Sequence, residues 1–308
     1  MMGVPANPQT PMLAIVGPTG SGKSSLAIDV AQRVGGEILS CDSIQIYRGF
    51  DIGSAKASAD ECERAKHHLI DIANWDDPFD AQQYREVALE ARADVIERGR
   101  VPILCGGTGL YLRLLRWGAI DVPASAPALR EELEAAERES PGATLARLGE
   151  LDPESAETLD PNNLRHMVRA LEICLQTGRA ASAIRKEHGF RSEEVPMRVV
   201  WVQWEAELLR ARIQARIHAM VDQGLLDEVQ GLLDAGVTPT CSPMRSVGYR
   251  ESCEVISGET DRAGFEERIF KSTWAYARRQ RTWFRKERNI EVLEVNDLDS
   301  ALDAVLAT

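Results

Sequence analysis

The stretch LAIVGPTGSGKSSLAIDVAQ, Leu13 to Gln32, decides the reading of this chain. Within it Gly17-Pro-Thr-Gly-Ser-Gly-Lys-Ser24 matches G-x-x-x-x-G-K-[ST] and stands between an apolar run and an amphipathic helical pattern. That is the setting a phosphate loop needs. Gly17, Gly20 and Gly22, with Pro18, Thr19 and Ser21 between them, let backbone N–H groups converge on phosphate oxygens. The helix N-terminus adds positive potential, Lys23 neutralises charge, and Ser24 can ligate Mg²⁺. The motif identifies a polyphosphate without saying which molecule carries it, so an ATP-dependent small-molecule or nucleoside kinase is the first reading.

Outward from the loop, short apolar runs bounded by turn residues predict buried strands at Met12–Val16, Glu37–Ser40, Leu69–Ile72, Val101–Cys105, Val199–Gln203 and Ile290–Val295. Amphipathic patterns lie between most of them. This alternation predicts an α/β fold, a P-loop NTPase-like parallel sheet core flanked by helices. From about Pro123 to Pro196 the strand signal vanishes. PALREELEAAERES, GATLARLGEL and PNNLRHMVRALEICLQTG read as helices, bounded by Pro123, Pro141, Pro161 and Gly178. The expected division is a core of residues 1–123 plus 197–308 and a helical insertion domain of residues 124–196. Further helices are expected over Glu205–Gln223, Leu225–Ala235 and Phe265–Lys286.

Composition narrows the class. The longest apolar runs fall far short of the roughly 20 residues a spanning helix needs. MMGVPANPQTPM lacks the basic-then-apolar order of a secretory signal. A cytoplasmic protein with no membrane partner is expected. The six cysteines are scattered without metal-ligand spacing and read as reduced structural thiols. A net charge of −12 opposes indiscriminate nucleic-acid binding. Yet Arg268 to Arg288 holds eight Lys or Arg and one Glu, a local +7 that leaves −19 on the remainder.

The second strand leads into EILSCDSIQIYRGFDIGSAK, which puts Asp42, Ser43 and Gln45 on the loop beyond its carboxyl end, the edge where open α/β sheets bind ligands. Asp42 is therefore expected across a crevice from the phosphate loop, as a proton acceptor or as the cap of a turn. Gly17-Pro-Thr, Asp42-Ser-Ile-Gln-Ile-Tyr-Arg-Gly49, Asp51-Ile-Gly-Ser-Ala-Lys56, Gly106-Gly-Thr-Gly-Leu-Tyr111, Arg169-Ala-Leu-Glu172, Arg245-Ser-Val-Gly-Tyr-Arg250 and Arg278-Arg-Gln-Arg-Thr-Trp283 follow in one order over most of the chain. This set resembles the tRNA dimethylallyltransferase (isopentenyl-tRNA transferase) family.

The resemblance implies that the loop Gly17–Ser24 cradles the diphosphate of dimethylallyl diphosphate and that the acceptor is the N6 amine of the adenosine 3′ of the tRNA anticodon. It implies Mg²⁺ at Ser24, proton removal by Asp42, a hydroxyl from Thr108 beside the reacting centre, and Lys23 with Arg216 on the leaving group. Arg212 and Arg216, four apart, share one helix face. For tRNA it implies contacts from Asp42, Ser43, Ile44, Gln45 and Thr108 around the base. Further contacts come from Arg130, Arg165, His166 and Arg169 of the insertion, and from Arg245, Ser246, Val247, Gly248, Tyr249 and Arg250. Arg278, Arg279 and Gln280 complete the set on the last long helix. Gln45 suits an adenine edge. On that helix Trp274, Tyr276, Trp283 and Phe284 interleave with arginines, but aromatics at helical spacing read first as core. The family usually has Asn-Asp where Asn162-Asn163 stand and Arg where His166 stands. Arg165 lies one position earlier, a turn of about 100° on a helix. A monomer is expected. A second rival, an RNA-binding nucleotide switch, would not need the carboxylate at Asp42.

Overall fold

The computed structural model describes residues 10–77 and 79–307, so most of the segment read for a secretory signal lies outside the described residues. Two compact units are present, one running to Arg116 and resuming at Glu194, the other Trp117–Glu193.

The first unit is built on six parallel strands: β1 Met12–Val16, β2 Gly36–Cys41, β3 His67–His68, β4 Val101–Gly106, β5 Met197–Trp204 and β6 Ile290–Val295. Their order is β3-β2-β4-β1-β5-β6. Parallel strands joined by helical crossovers are covered on both faces, which is why MLAIV and VVWV read as unbroken apolar runs. Alternation still divides them. Ile15, Ile38, Ile103 and Val200 enter one core, whereas Ala14, Val16, Leu39 and Leu104 enter the other. The register sets the site. Val16 pairs with Gly106 and Trp201, and Gly106 pairs with Cys41, so the loops after β1, β2 and β4 leave the sheet at one level on one edge.

The strand expected at Leu69–Ile72 is not formed; the strand is His67–His68. Leu69 and Asp71 take positive φ, 64° and 54°. The N–H groups of Asp71 and Ile72 donate to the carbonyls of Gln45 (3.2 Å) and Ile46 (2.9 Å), and the Asp71 carboxylate pairs with Lys56 (2.6 Å). The apolar run buries Leu69, but its backbone supports the Asp42 turn instead of extending the ladder.

The second unit holds the helices Pro127–Glu139, Ala143–Leu151, Pro153–Thr158, Leu164–Thr177 and Ala181–His188 around Leu133, Leu148, Met167, Val168 and Leu171. Asn163, not Pro161, starts the fourth, its side chain accepting from the His166 N–H. Two buried carboxylates organise the unit. Asp152 receives four hydrogen bonds from the N–H and hydroxyl groups of Ser155 and Ser182. Burial alone raises its carboxyl, yet these donors hold it at about 2. Glu172, with no exposed surface, is met by Ser125 (2.7 Å), Arg130 (2.9 Å) and Arg169 (3.5 Å).

At the opposite end of the sheet from the loops, Glu37 is the second residue of β2 and is 6% exposed. Both Arg98 amino groups bond it, and His68 Nε2 lies 2.6 Å away. The Arg98 hydrogen bonds hold its carboxyl down at about 2, from 4.5. A carboxylate depressed in the folded state stabilises above its unfolded pKa and loses that contribution as pH falls through the folded one. The stability difference between wild type and Glu37→Gln, followed by urea unfolding across pH, should be full above pH about 4.5 and vanish towards about 2, with a ceiling of about 3 kcal/mol.

Candidate active site

The phosphate loop joins β1 to the helix Lys23–Val34. Gly22 stands at the N-cap with φ 77°, a conformation that costs a glycine nothing and strains other residues. The Lys23 ammonium lies over the loop, 3.4 Å from the Pro18 carbonyl, and burial pulls its pKa below the ordinary lysine value. Ser24 is exposed beside it. The loop is braced from below: Trp204 donates to the Ser21 carbonyl (2.8 Å), and Arg212, stacked 4.4 Å from the Trp204 ring, donates to the Gly20 carbonyl (2.9 Å). Arg212 thus holds the loop backbone. Arg216, one helical turn on, lines the cavity, and burial lowers its pKa also.

That cavity, about 340 Å³, lies wholly within the first unit. Lys23, Ser24, Asp42 and Arg216 line its polar side. Ile213, Ile217 and Met220 from the helix Ala206–Asp222, with Ile269 from the helix Phe265–Lys286, form an apolar wall. Ser43, Ile44 and Gln45 line it as well, and Arg245, Ser246, Val247, Gly248, Arg250 and Arg279 bound another side. Asp42 caps the turn after β2 and also lines the cavity. Its Oδ1 accepts from the N–H groups of Ile44 (2.8 Å) and Gln45 (3.3 Å), while Oδ2 has no partner among the described residues. Cys105 lines the cavity and Cys41 ends β2 beside it. Burial pushes their thiols up to about 11 and about 12, which removes both as thiolate nucleophiles near neutral pH.

Several expected contacts stand elsewhere than expected. Thr108 does not line the cavity: its hydroxyl accepts from the Ser43 N–H (3.1 Å), and its own N–H donates to the Cys41 carbonyl (3.1 Å), clamping the Asp42 turn from behind. The Gln45 amide is engaged at both ends, receiving Ser40 (2.9 Å) and donating to Ser54 (3.3 Å) and Ala55 (3.0 Å), so it fixes a loop and is not free to read a base edge. Tyr249 has no exposed surface, and its hydroxyl donates to Glu228 (2.7 Å), so its side chain belongs to the core. Gln280 joins the two loops, accepting from the Thr19 N–H (2.9 Å) and donating to the Gly107 carbonyl (2.9 Å). Arg278 and Arg279 are exposed, whereas Phe284 is buried and Trp283 lies 4.3 Å below the Arg113 guanidinium. Arg165 and His166 are exposed on the second unit, and Arg130 and Arg169 are held by Glu172. Tyr276, which reads first as core from its helical spacing, lines the cavity; sequence reading missed Glu228, which belongs to no spacing motif.

A phosphate loop at the end of the inner strand of a parallel sheet, with cations and a carboxylate facing across an apolar-walled cavity, defines a P-loop enzyme of group transfer. Among known proteins, the family model described as IPP transferase matches residues 45–287. The chain belongs to the IPP transferase family. The tRNA dimethylallyltransferase 1 of Pelobacter propionicus is 43% identical over 291 residues, 94% of each chain. The solved tRNA delta(2)-isopentenylpyrophosphate transferase of Staphylococcus epidermidis is 33% identical with a TM-score of 0.70, the match covering 96% of this chain and 98% of that one. A eukaryotic dimethylallyltransferase, solved acting on tRNA, has a TM-score of 0.79 at 26% identity, over 97% of this chain and 77% of that one.

Gln280→Leu leaves the buried Gly107 carbonyl without its donor, at about 1–3 kcal/mol, and the half-buried Thr19 N–H without its acceptor, at less. A lower melting temperature and weaker binding of inorganic pyrophosphate are expected together, measured by thermal unfolding and by calorimetric titration.

Proposed function

We propose that this chain transfers the dimethylallyl group of dimethylallyl diphosphate to the exocyclic N6 amine of the adenosine 3′ of the anticodon in tRNA, forming N6-isopentenyladenosine and diphosphate. The observation that carries the reading is a single cavity in which Lys23 and Arg216 stand with Asp42 beside an apolar wall. The names of the relatives support a prenyl donor over the nucleotide of a kinase.

In this reading the C1–O bond to diphosphate breaks as the N6–C1 bond forms, with positive charge developing on the allyl carbon and negative charge on the leaving group. Lys23, Arg216 and the N–H groups from Gly20 to Ser24 stabilise the diphosphate. A bound diphosphate also offsets the desolvation of both cations, so donor binding and their charging are coupled. Ile213, Ile217, Met220 and Ile269 surround the prenyl chain and exclude water from a carbon that water would trap. The adenine amine is a weak nucleophile because its lone pair is delocalised. Asp42 accepts its proton through Oδ2 while Oδ1 keeps the turn in place, and Thr108 acts by holding that turn.

Ser24 and the free Asp42 oxygen are hard donors on the cavity edge. Among the described residues no group of three His, Cys, Asp or Glu forms a metal cage. This donor set suits Mg²⁺ carried largely by diphosphate and water, with Ser24 as the protein ligand. When bound, the ion neutralises charge on the leaving group.

The adenosine must leave the anticodon-loop stack to reach Asp42. Arg245, Arg250, Arg278 and Arg279, with Ser246, Val247 and Gly248, meet the anticodon stem-loop near the cavity. Arg130, Arg165, His166 and Arg169 supply the helical unit's contacts, and that unit corresponds to the insertion domain of residues 124–196. No helix among the described residues is long and apolar enough to cross a membrane. The enzyme acts as a monomer in the cytoplasm.

Incubation with unmodified tRNA and dimethylallyl diphosphate should yield, after nucleoside digestion, an adenosine heavier by one five-carbon prenyl unit. Phosphate transfer from labelled ATP without prenyl transfer would overturn the reading. Asp42→Ala should lower turnover at least about 100-fold while tRNA affinity stays within about twofold, because general-base removal acts on the rate and not on docking.

A further inference from the structure

Glu228 touches neither the phosphate loop nor the cavity, yet its carboxylate gathers four hydrogen bonds from two separate parts of the chain. Its Oε2 accepts from the N–H groups of Asp51 (3.2 Å) and Ile52 (2.6 Å). Its Oε1 accepts from the Gly53 N–H (3.2 Å) and the Tyr249 hydroxyl (2.7 Å). Three successive amides converging on one anion form a nest, which fixes the backbone that presents them. The Tyr249 ring closes over it. A Cβ on Gly53 would sit 2.5 Å from a ring carbon, so this close approach requires glycine.

The residue after that backbone is Ser54, and its carbonyl is shared. Arg216 Nη2 lies 3.5 Å from it and Gln45 Nε2 3.3 Å from it. The Gln45 N–H in turn bonds Asp42 Oδ1. One carboxylate thus stands behind the guanidinium on one wall and the base on another. Tyr249 adds a third connection, because it follows Gly248 in the segment 245–250 that borders the cavity.

We propose that Glu228 is a positioning residue for the transfer reaction: by anchoring residues 51–53 and Tyr249 together, it aims the Ser54 carbonyl that orients Arg216 towards the leaving group. This rests on the prenyl-transfer reading for the chemistry of the donor, but the contact itself is tested with inorganic pyrophosphate alone. Glutamine at 228 keeps one acceptor oxygen and sets its N–H₂ against either the Asp51 and Ile52 N–H groups or the Gly53 N–H and the Tyr249 hydroxyl; since a hydroxyl can accept, at least one amide hydrogen bond is lost, with little change of volume.

The test is a double-mutant cycle on the full chain. Glu228→Gln should weaken pyrophosphate binding about tenfold and lower kcat, with the tRNA KM within about twofold. In an Arg216→Ala background the same substitution should leave pyrophosphate affinity unchanged, since the group it acts through is gone. An equal loss in both backgrounds, or a lowered melting temperature with pyrophosphate affinity intact in both, overturns the proposal and leaves Glu228 a scaffold residue. Tyr249→Phe removes only the hydroxyl and keeps the ring, so it serves if Glu228→Gln does not fold. About threefold weaker binding is expected, again absent in Arg216→Ala; the same loss in both overturns the proposal. If the wild type prenylates no tRNA while the cycle still shows coupling, the functional reading fails and the positioning role stands.

Discussion

Two half-buried cations and one carboxylate around a single cavity are the constraint on which the site depends. Lys23 and Arg216 both have their pKa lowered by burial, and Asp42 is the acidic group that opposes this in both cases. Charge removed from water is costly unless it is paired, so the pocket is poised for an incoming anion. Much of the surrounding architecture holds these three groups at fixed separation. The register of β1, β2 and β4 brings their loops to one edge. The Gln280 amide ties the loops after β1 and β4, and Arg212 braces the phosphate loop against Trp204.

Legibility in the sequence followed the range of the interaction. The phosphate loop is local, since eight consecutive residues carry its geometry, and the runs at Met12–Val16 and Ile290–Val295 became strands as read. The apolar run at Leu69–Ile72 misled because burial and extension are different properties: Leu69 is buried at a positive φ, and Asp71 and Ile72 pair with Gln45, Ile46 and Lys56, which no local pattern encodes. Side chains with amides or phenols were the least readable. Gln45, Tyr249 and Gln280 look equipped to contact a base, and only the folded chain shows their polar atoms engaged. Glu228 left no signal at all, because its backbone partners lie 175 to 177 positions earlier and Tyr249 lies 21 positions later.

The helical unit shows the same economy of charge. Glu172 has no exposed surface, and Arg130 and Arg169 both reach it, each keeping about a third of its side chain in solvent. A guanidinium has five donors, so a carboxylate on one side leaves several for another acceptor. The buried anion fixes where two long, flexible side chains stand, which reduces the entropy either would lose in meeting a further acceptor.

The two thiols beside the cavity have a consequence for the conditions under which such an enzyme can work. Cys41 and Cys105 are pushed up to about 12 and about 11 by burial, so near neutral pH almost none of either is ionised. Peroxides and alkylating agents attack the ionised sulfur, and oxidation begins there. These residues therefore give the strand ends small, close-packing side chains while withholding the handle by which oxidants would disable the centre.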